Sequence, residues 1–185
     1  MEKIIQLDKQ LLVFLNGLGS DQYDGFWLLI TKQLHWTPIF LLVFYLLYKN
    51  IGWKNLLLAL VSIAVLIALT DQFTNFIKDT FQRLRPCNDE EINGIIRIVK
   101  DSETYSFFSG HAANSMASTV FIFLILKKFY NKAYLLFLFP LIFAYSRIYL
   151  GLHFPGDILT GYAVGATFGY CMYKLYSAVQ QKYLV

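Results

Sequence analysis

SRIYLGLHFPGD, residues 146–157, joins two long apolar runs and sets an Arg, a His and an Asp into 12 residues of an otherwise apolar chain. Upstream lies Ala133 to Leu150. Downstream, past a turn made of Gly151 to Pro155, a helix is expected to start at Asp157 and continue to about Tyr176. Two apolar helices joined by a polar turn read as one hairpin of a membrane bundle, and ionisable groups at membrane depth point to a functional site. Two further polar clusters sit at the mouths of apolar runs: Lys78 to Pro86 (KDTFQRLRP) and Ser109 to His111 (SGH).

Composition carries this outward to the whole chain. Of 185 residues, 57% are apolar, 18% aromatic and only 15% charged, against about 25% charged in soluble domains. So much apolar surface does not fit one soluble core, and the chain reads as an integral membrane protein in a single domain, residues 1–185. The net charge of +4 comes from Lys and Arg at segment ends. That is the pattern of the positive-inside rule, and nucleic-acid binding is not expected. No basic region followed by an apolar core and a small-residue cleavage site opens the chain, so a removable signal peptide is not expected. Cys87 and Cys171 are read as free thiols.

The expected fold is all-α, a polytopic membrane helical bundle of about six helices. A short amphipathic helix, Asp8 to Leu18, stops at Gly17, Gly19 and Ser20. A span from Asp24 to Tyr48 follows, its first third polar and marked for a kink by Pro38. Next come spans over Leu56 to Ile77, Ser109 to about Leu126, Ala133 to Leu150 and from Asp157 onward, with a polar loop from Cys87 to Phe108. Asp71, Asn75 and Lys78 recur at i, i+4 and i+7, giving the second span a polar stripe. Ser109 is placed as an N-cap. Lys49 and Lys54, Lys127 to Lys132, and Lys174 with Lys182 all fall on one side, and the three polar clusters fall on the other. That puts the site on the outer, periplasm-like face of the membrane. Gly161, Gly165 and Gly169 form a small-residue stripe, which serves close packing within the bundle or, alternatively, a homodimer through the last helix.

The clusters carry a coherent chemistry. Pro86 disfavours helix at Arg85, so the chain leaves the axis there and can return a guanidinium toward Lys78, letting both cations meet one phosphate. Snorkelling to head groups is the plainer alternative, and Arg83, without a partner argument, is left to it. Ser109, Gly110 and His111 open a helix whose unpaired N–H groups and dipole favour an anion, though a capping turn explains SGH equally well. His153 and Asp157, four apart, suit an imidazole whose tautomer is held by a carboxylate and whose other nitrogen attacks. A buried His–Asp pair clamping two helices is the competing account. Arg147 is placed to neutralise transition-state charge. No ligand spacing for a metal is seen, so neither metal nor cofactor is expected, and activity should persist in a chelator.

In this order the clusters resemble the type 2 phosphatidic acid phosphatase family, with its signature K-x6-RP, PSGH and SR-x5-H-x3-D. They read Lys78 to Pro86, Phe108 to His111, and Ser146 to Asp157; the second departs at Phe108, where proline is usual. The resemblance implies a metal-independent membrane lipid phosphatase. By it, His153 would form a phosphohistidine, Asp157 would orient it and His111 would be the general acid. Lys78, Arg85, Ser109, Gly110 and Arg147 would hold the phosphate.

The substrate expected is a lipid phosphate drawn from the membrane, with undecaprenyl pyrophosphate first. Phosphatidylglycerol phosphate or lipid A is the alternative, and a catalytically silent lipid-phosphate-binding protein the reading from another class. Arg97 and Lys100 are candidates to hold a second phosphate. His35 and Trp36 are read as interfacial anchors, and Asp71 is expected to pair with a neighbouring helix or with Lys78.

Overall fold

A computed structural model describes residues 2–183, and among these there are six α-helices and no strand. Helix α1 (Glu2–Gly17) is followed by a short α2 (Asp24–Ile30), then α3 (Thr37–Phe81), α4 (Gly110–Leu126), α5 (Leu138–Tyr149) and α6 (Pro155–Tyr183). The single span expected from Asp24 to Tyr48 is divided. Lys32 adopts an extended conformation, a 3-10 turn covers Gln33–Trp36, and Pro38 lies in the first turn of α3. Proline lacks the N–H that a helix interior needs but not the one its first turn leaves free, so Pro38 begins a helix here and does not kink one.

Helix α3 contains the later part of that span and the whole of the next, Leu56 to Ile77. Gly52, at φ 71° and ψ 173°, is non-helical inside it, a conformation open to glycine because it has no Cβ. Phe40 and Ile67 line one cavity, yet 27 residues of straight helix would separate them by about 40 Å. The chain therefore turns back at Gly52. Val61 and Phe76, each more than 60% exposed, belong to the lipid-facing side, where apolar exposure carries no cost.

Helix α4 is central and packs against α3, α5 and α6. A Cβ on Gly161 would sit 2.7 Å from the Ser109 carbonyl oxygen, and those on Gly165 and Gly169 would run into the Ala113 and Ala117 carbonyls. The stripe is thus covered by α4 of the same chain, and the homodimer alternative loses the face on which it rested. Leu12, Ala112, Ala144, Ile148, Phe154 and Ile158 form the core beneath the polar end of the bundle. Buried Asn16 pins α1 there. Its amide donates to the Ile148 and Tyr149 carbonyls at 3.1 and 3.0 Å, and its Oδ1 accepts the Arg97 N–H at 2.7 Å. Trp36 is not an interfacial anchor: it is buried against Phe139 and Phe143, its Nε1 donating to the Ile30 carbonyl. Exposed His35 turns its Nδ1 to the Leu29 carbonyl. Both cysteines are free, Cys87 buried and Cys171 exposed.

Candidate active site

Helix α3 stops at Phe81 because Gln82 takes a left-handed conformation and its N–H caps the Lys78 carbonyl. The chain thus leaves the axis four residues before Pro86, earlier than expected, and Arg85, next to that proline, is extended at φ −75° and ψ 157°. Its guanidinium is buried rather than snorkelled. Nε and Nη2 donate to the Thr104 carbonyl and hydroxyl at 2.8 and 2.7 Å, and Nη1 donates to the Leu152 carbonyl at 3.1 Å. Nη1 also reaches His153 Nε2 at 3.2 Å.

That last contact assigns the tautomer. A guanidinium only donates, so Nε2 of His153 presents its lone pair and the ring proton sits on Nδ1. Nδ1 faces Asp157 Oδ2 at 3.4 Å and the Ser106 hydroxyl at 3.4 Å. Burial pushes the imidazole down to about 3, with Arg85 and Arg147 adding to that and Asp157 opposing it. His153 is therefore neutral across the physiological range.

Asp157 is wholly buried at the start of α6 and fully bonded. Oδ2 accepts the Phe154 N–H at 3.0 Å and the Ser106 hydroxyl, while Oδ1 accepts Arg83 Nη1 at 2.7 Å. Arg83 is thus no snorkelling residue. Its Nη2 bonds Asp8 of α1 at 2.8 Å and its guanidinium lies 3.8 Å over the Phe154 ring. Asp8 in turn accepts the Gly156 N–H at 2.7 Å. A buried carboxylate needs such partners to stay ionised.

A cavity of about 400 Å³ collects Lys78, Arg85, Gly110, His111 and His153, so three distant stretches converge as their chemistry suggests. The other three expected site residues stand behind its wall. Ser109 is buried; its hydroxyl accepts the Ala112 N–H at 3.4 Å and its own N–H donates to the Asp157 carbonyl at 3.1 Å. Arg147 donates through Nη1 to Thr31, a residue of the cavity wall, at 2.7 Å, and its Nε is buried without a partner. Asp157 is reached through His153. Phe108 is core, packed toward Phe73.

Arg97 does not line the cavity. It bonds Asp21 at 2.6 Å and Asp24 at 3.0 and 3.1 Å and lies over Tyr149, so its charge is already matched. Lys100 is likewise absent from the wall. Asp71 does pair across helices, accepting from Asn114 of α4 at 2.5 Å.

The model of the PAP2 superfamily matches residues 55–181, a stretch that holds all three clusters. The chain belongs to the PAP2 superfamily. A lipid A 4'-phosphatase of Bacteroides thetaiotaomicron is 35% identical over 177 residues, covering 94% of this chain and 78% of that protein. A lipid A 4'-phosphatase of Porphyromonas gingivalis is 31% identical over 190 aligned positions, covering 100% of this chain and 79% of its relative. The fold is that of the transmembrane PAP2-type phosphatidylglycerolphosphate phosphatase of Bacillus subtilis, with a TM-score of 0.72 at 18% identity over 99% of this chain and 89% of that one. LpxE of Aquifex aeolicus gives 0.62 at 21% identity over 89% and 93%. This PAP2 chain is accordingly an enzyme, a phosphoric-ester hydrolase of the membrane.

The PAP2 signature pointed to Arg85, His111 and His153 but not to their supports. Thr104 and Ser106 lie in the loop before α4, Thr31 after α2 and Asp8 in α1, all outside the three clusters. Sequence offered no signal for Thr104 or Thr31. For Arg83 it offered one, a third cation in KDTFQRLRP.

Proposed function

We propose that this chain is a lipid phosphatase that removes a phosphate from a lipid A-type glycolipid through a phosphohistidine on His153. The supporting observation is the Nε2 lone pair of His153, turned toward Arg85 in a cavity shared with Lys78 and His111 and backed by Asp157. Undecaprenyl pyrophosphate, first on the sequence reading, gives way to lipid A. Both relatives above 30% identity carry that activity in their names, and Arg97, assigned to a second phosphate, is spent on Asp21 and Asp24.

In the resting site Arg85 holds the nucleophile's lone pair. An entering phosphate, met by Lys78 and by the free N–H groups of α4 at Gly110 and His111, draws the guanidinium onto its own oxygens and frees Nε2. Nε2 attacks phosphorus, the bond to the lipid oxygen breaks, and His111 delivers a proton to the leaving oxygen. The ring, now carrying phosphorus on Nε2 and its proton on Nδ1, is cationic, and Asp157 stabilises it. Water then attacks phosphorus, His111 takes the water proton, the N–P bond breaks, and phosphate leaves. Arg147 adds positive charge from behind Thr31.

In this reading residues 1–185 serve as one domain. The site opens at the periplasmic face of the inner membrane, in keeping with the lysines of the opposite end. Phosphate release from lipid A, phosphatidylglycerol phosphate and undecaprenyl pyrophosphate tests it, together with acid-quenched trapping of the phosphoenzyme from labelled substrate. Lipid A should turn over fastest, and His153→Ala should lose about 10⁴-fold or more. Turnover retained in His153→Ala would overturn the mechanism; a stronger preference for either other lipid would overturn the substrate.

A further inference from the structure

Beside the phosphate cavity lies a second one of about 500 Å³, lined largely by apolar side chains of α3, α4 and α5, including Phe40, Leu60, Ile63 and Phe143. The two cavities share Gln33, Asp71 and Asn114. These three side chains form a polar seam where the phosphate end of a lipid would give way to its apolar part.

The bonding at the seam is lopsided. An amide beside a carboxylate must present its N–H, and Asn114 Nδ2 donates to Asp71 Oδ1 at 2.5 Å. That turns the Asn114 carbonyl the other way, where Oδ1 is buried with no donor. Asn114 is also the sole side chain bonding Asp71 among the described residues. The seam therefore offers two kinds of acceptor, a carbonyl without a donor and a carboxylate met by Asn114 alone. A buried acceptor without a donor is costly. A carboxylate near an anion-binding cavity is a further penalty for phosphate unless the ligand itself brings hydrogen.

We propose that Asp71 and Asn114, with Gln33, form a head-group subsite that accepts hydrogen bonds from the hydroxyl and amide N–H groups of a phosphorylated sugar lipid. The subsite selects such glycolipids over diacylglycerol phosphates and polyprenyl phosphates, which bring no donor to that position. The inference rests on the lipid phosphatase reading and adds the groups that choose the substrate. Asp71 lies seven residues before Lys78, about 10.5 Å along the α3 axis, which leaves room for a sugar ring between a phosphate on Lys78 and the carboxylate. A diacylglycerol phosphate carries ester acceptors next to its phosphate, and a polyprenyl phosphate carries hydrocarbon there. Both would cover the seam without meeting it. Sites built to hydrogen-bond a substrate discriminate strongly against analogues that lack the donor.

The test measures kcat/KM for phosphate release from lipid A and from phosphatidic acid in the full-length enzyme and in Asn114→Ala, Asn114→Ser and Asp71→Asn. The ratio between the two lipids should fall tenfold or more in each variant. An unchanged ratio, with both activities lowered together, would assign the pair to a clamp between α3 and α4 and overturn the proposal. A second arm measures binding of the His153→Ala protein, with and without each seam substitution, to nanodiscs containing either lipid. A preference for lipid A that the substitutions abolish supports the subsite even if the wild type released no phosphate, an outcome that would remove the phosphatase reading alone. Equal binding of both lipids without seam substitutions would overturn the subsite.

Discussion

Arg83 shows what single residues contribute. It lies between Asp8 and Asp157, 26% exposed while Asp157 is fully buried. Replacing it with alanine leaves two carboxylates facing one another and frees the Asp157 side chain to turn from His153. Losing one partner of a buried pair costs about 3–5 kcal/mol, and the partial exposure of Arg83 puts this case near or below 3. Arg83→Ala should lower kcat on the order of 10²-fold and reduce the midpoint of thermal unfolding, with Arg83→Lys recovering part of both. Full activity in Arg83→Ala would show that Asp157 needs no anchor. His153 leads to a pH prediction. Burial holds it to about 3, against about 6.5 in an unfolded chain, so it stays neutral as pH falls through 6. The kcat/KM profile of the free enzyme should therefore show no acid limb from the nucleophile above about pH 5. An acid limb near pH 6 that vanished with the His153 imidazole would contradict it. The same displacement means the unfolded chain takes up that proton first, so folding stability falls as pH drops from about 6.5 toward about 3. The His153–Asp157 spacing was legible because both groups fall in one turn. Arg83 was misread because its partners lie 75 and 74 residues away, and no local pattern records such a distance.

At the scale of elements, helix periodicity and capping revealed most of the bundle. Ser109 caps α4 as its hydroxyl suggests, and Arg85 is extended beside Pro86, although Gln82 had already ended the helix. What sequence hid was where apolar runs divide. Asp24 to Tyr48 looked like one span because apolar residues continue across it, whereas the extended Lys32 and the 3-10 turn are settled by packing of Trp36 onto α5. The glycine stripe was visible, but its partner was not, since a small residue signals close approach without naming what approaches. The packing of α4 and α6 makes that partner testable. Gly165→Ala drives a methyl into the Ala113 carbonyl, and overpacking of this kind costs about 1–3 kcal/mol. The detergent-solubilised variant should unfold several degrees below the parent. Gly25→Ala, where nothing lies within 4 Å, should not fall, and equal behaviour of the two would mean the helices have room to spare.

For the whole molecule, the proposal that the phosphate cavity faces away from the cytoplasm can be tested directly. Lys100 and Asn131, both exposed, belong to loops expected at opposite ends. In a background of Cys87→Ser and Cys171→Ser, a membrane-impermeant maleimide applied to spheroplasts should label Lys100→Cys and leave Asn131→Cys untouched. The reverse pattern would invert the topology. The contacts made by the front of the chain carry a practical consequence. The stretch by which the superfamily is recognised begins at residue 55, while the carboxylate steadying Arg83 comes from Asp8 and the hydroxyl meeting Arg147 from Thr31. Chimeras that exchange only the recognised stretch would transplant the reacting groups without their props. Swaps between members of this family that retain turnover should be those that carry the leading helices along with the motifs they brace.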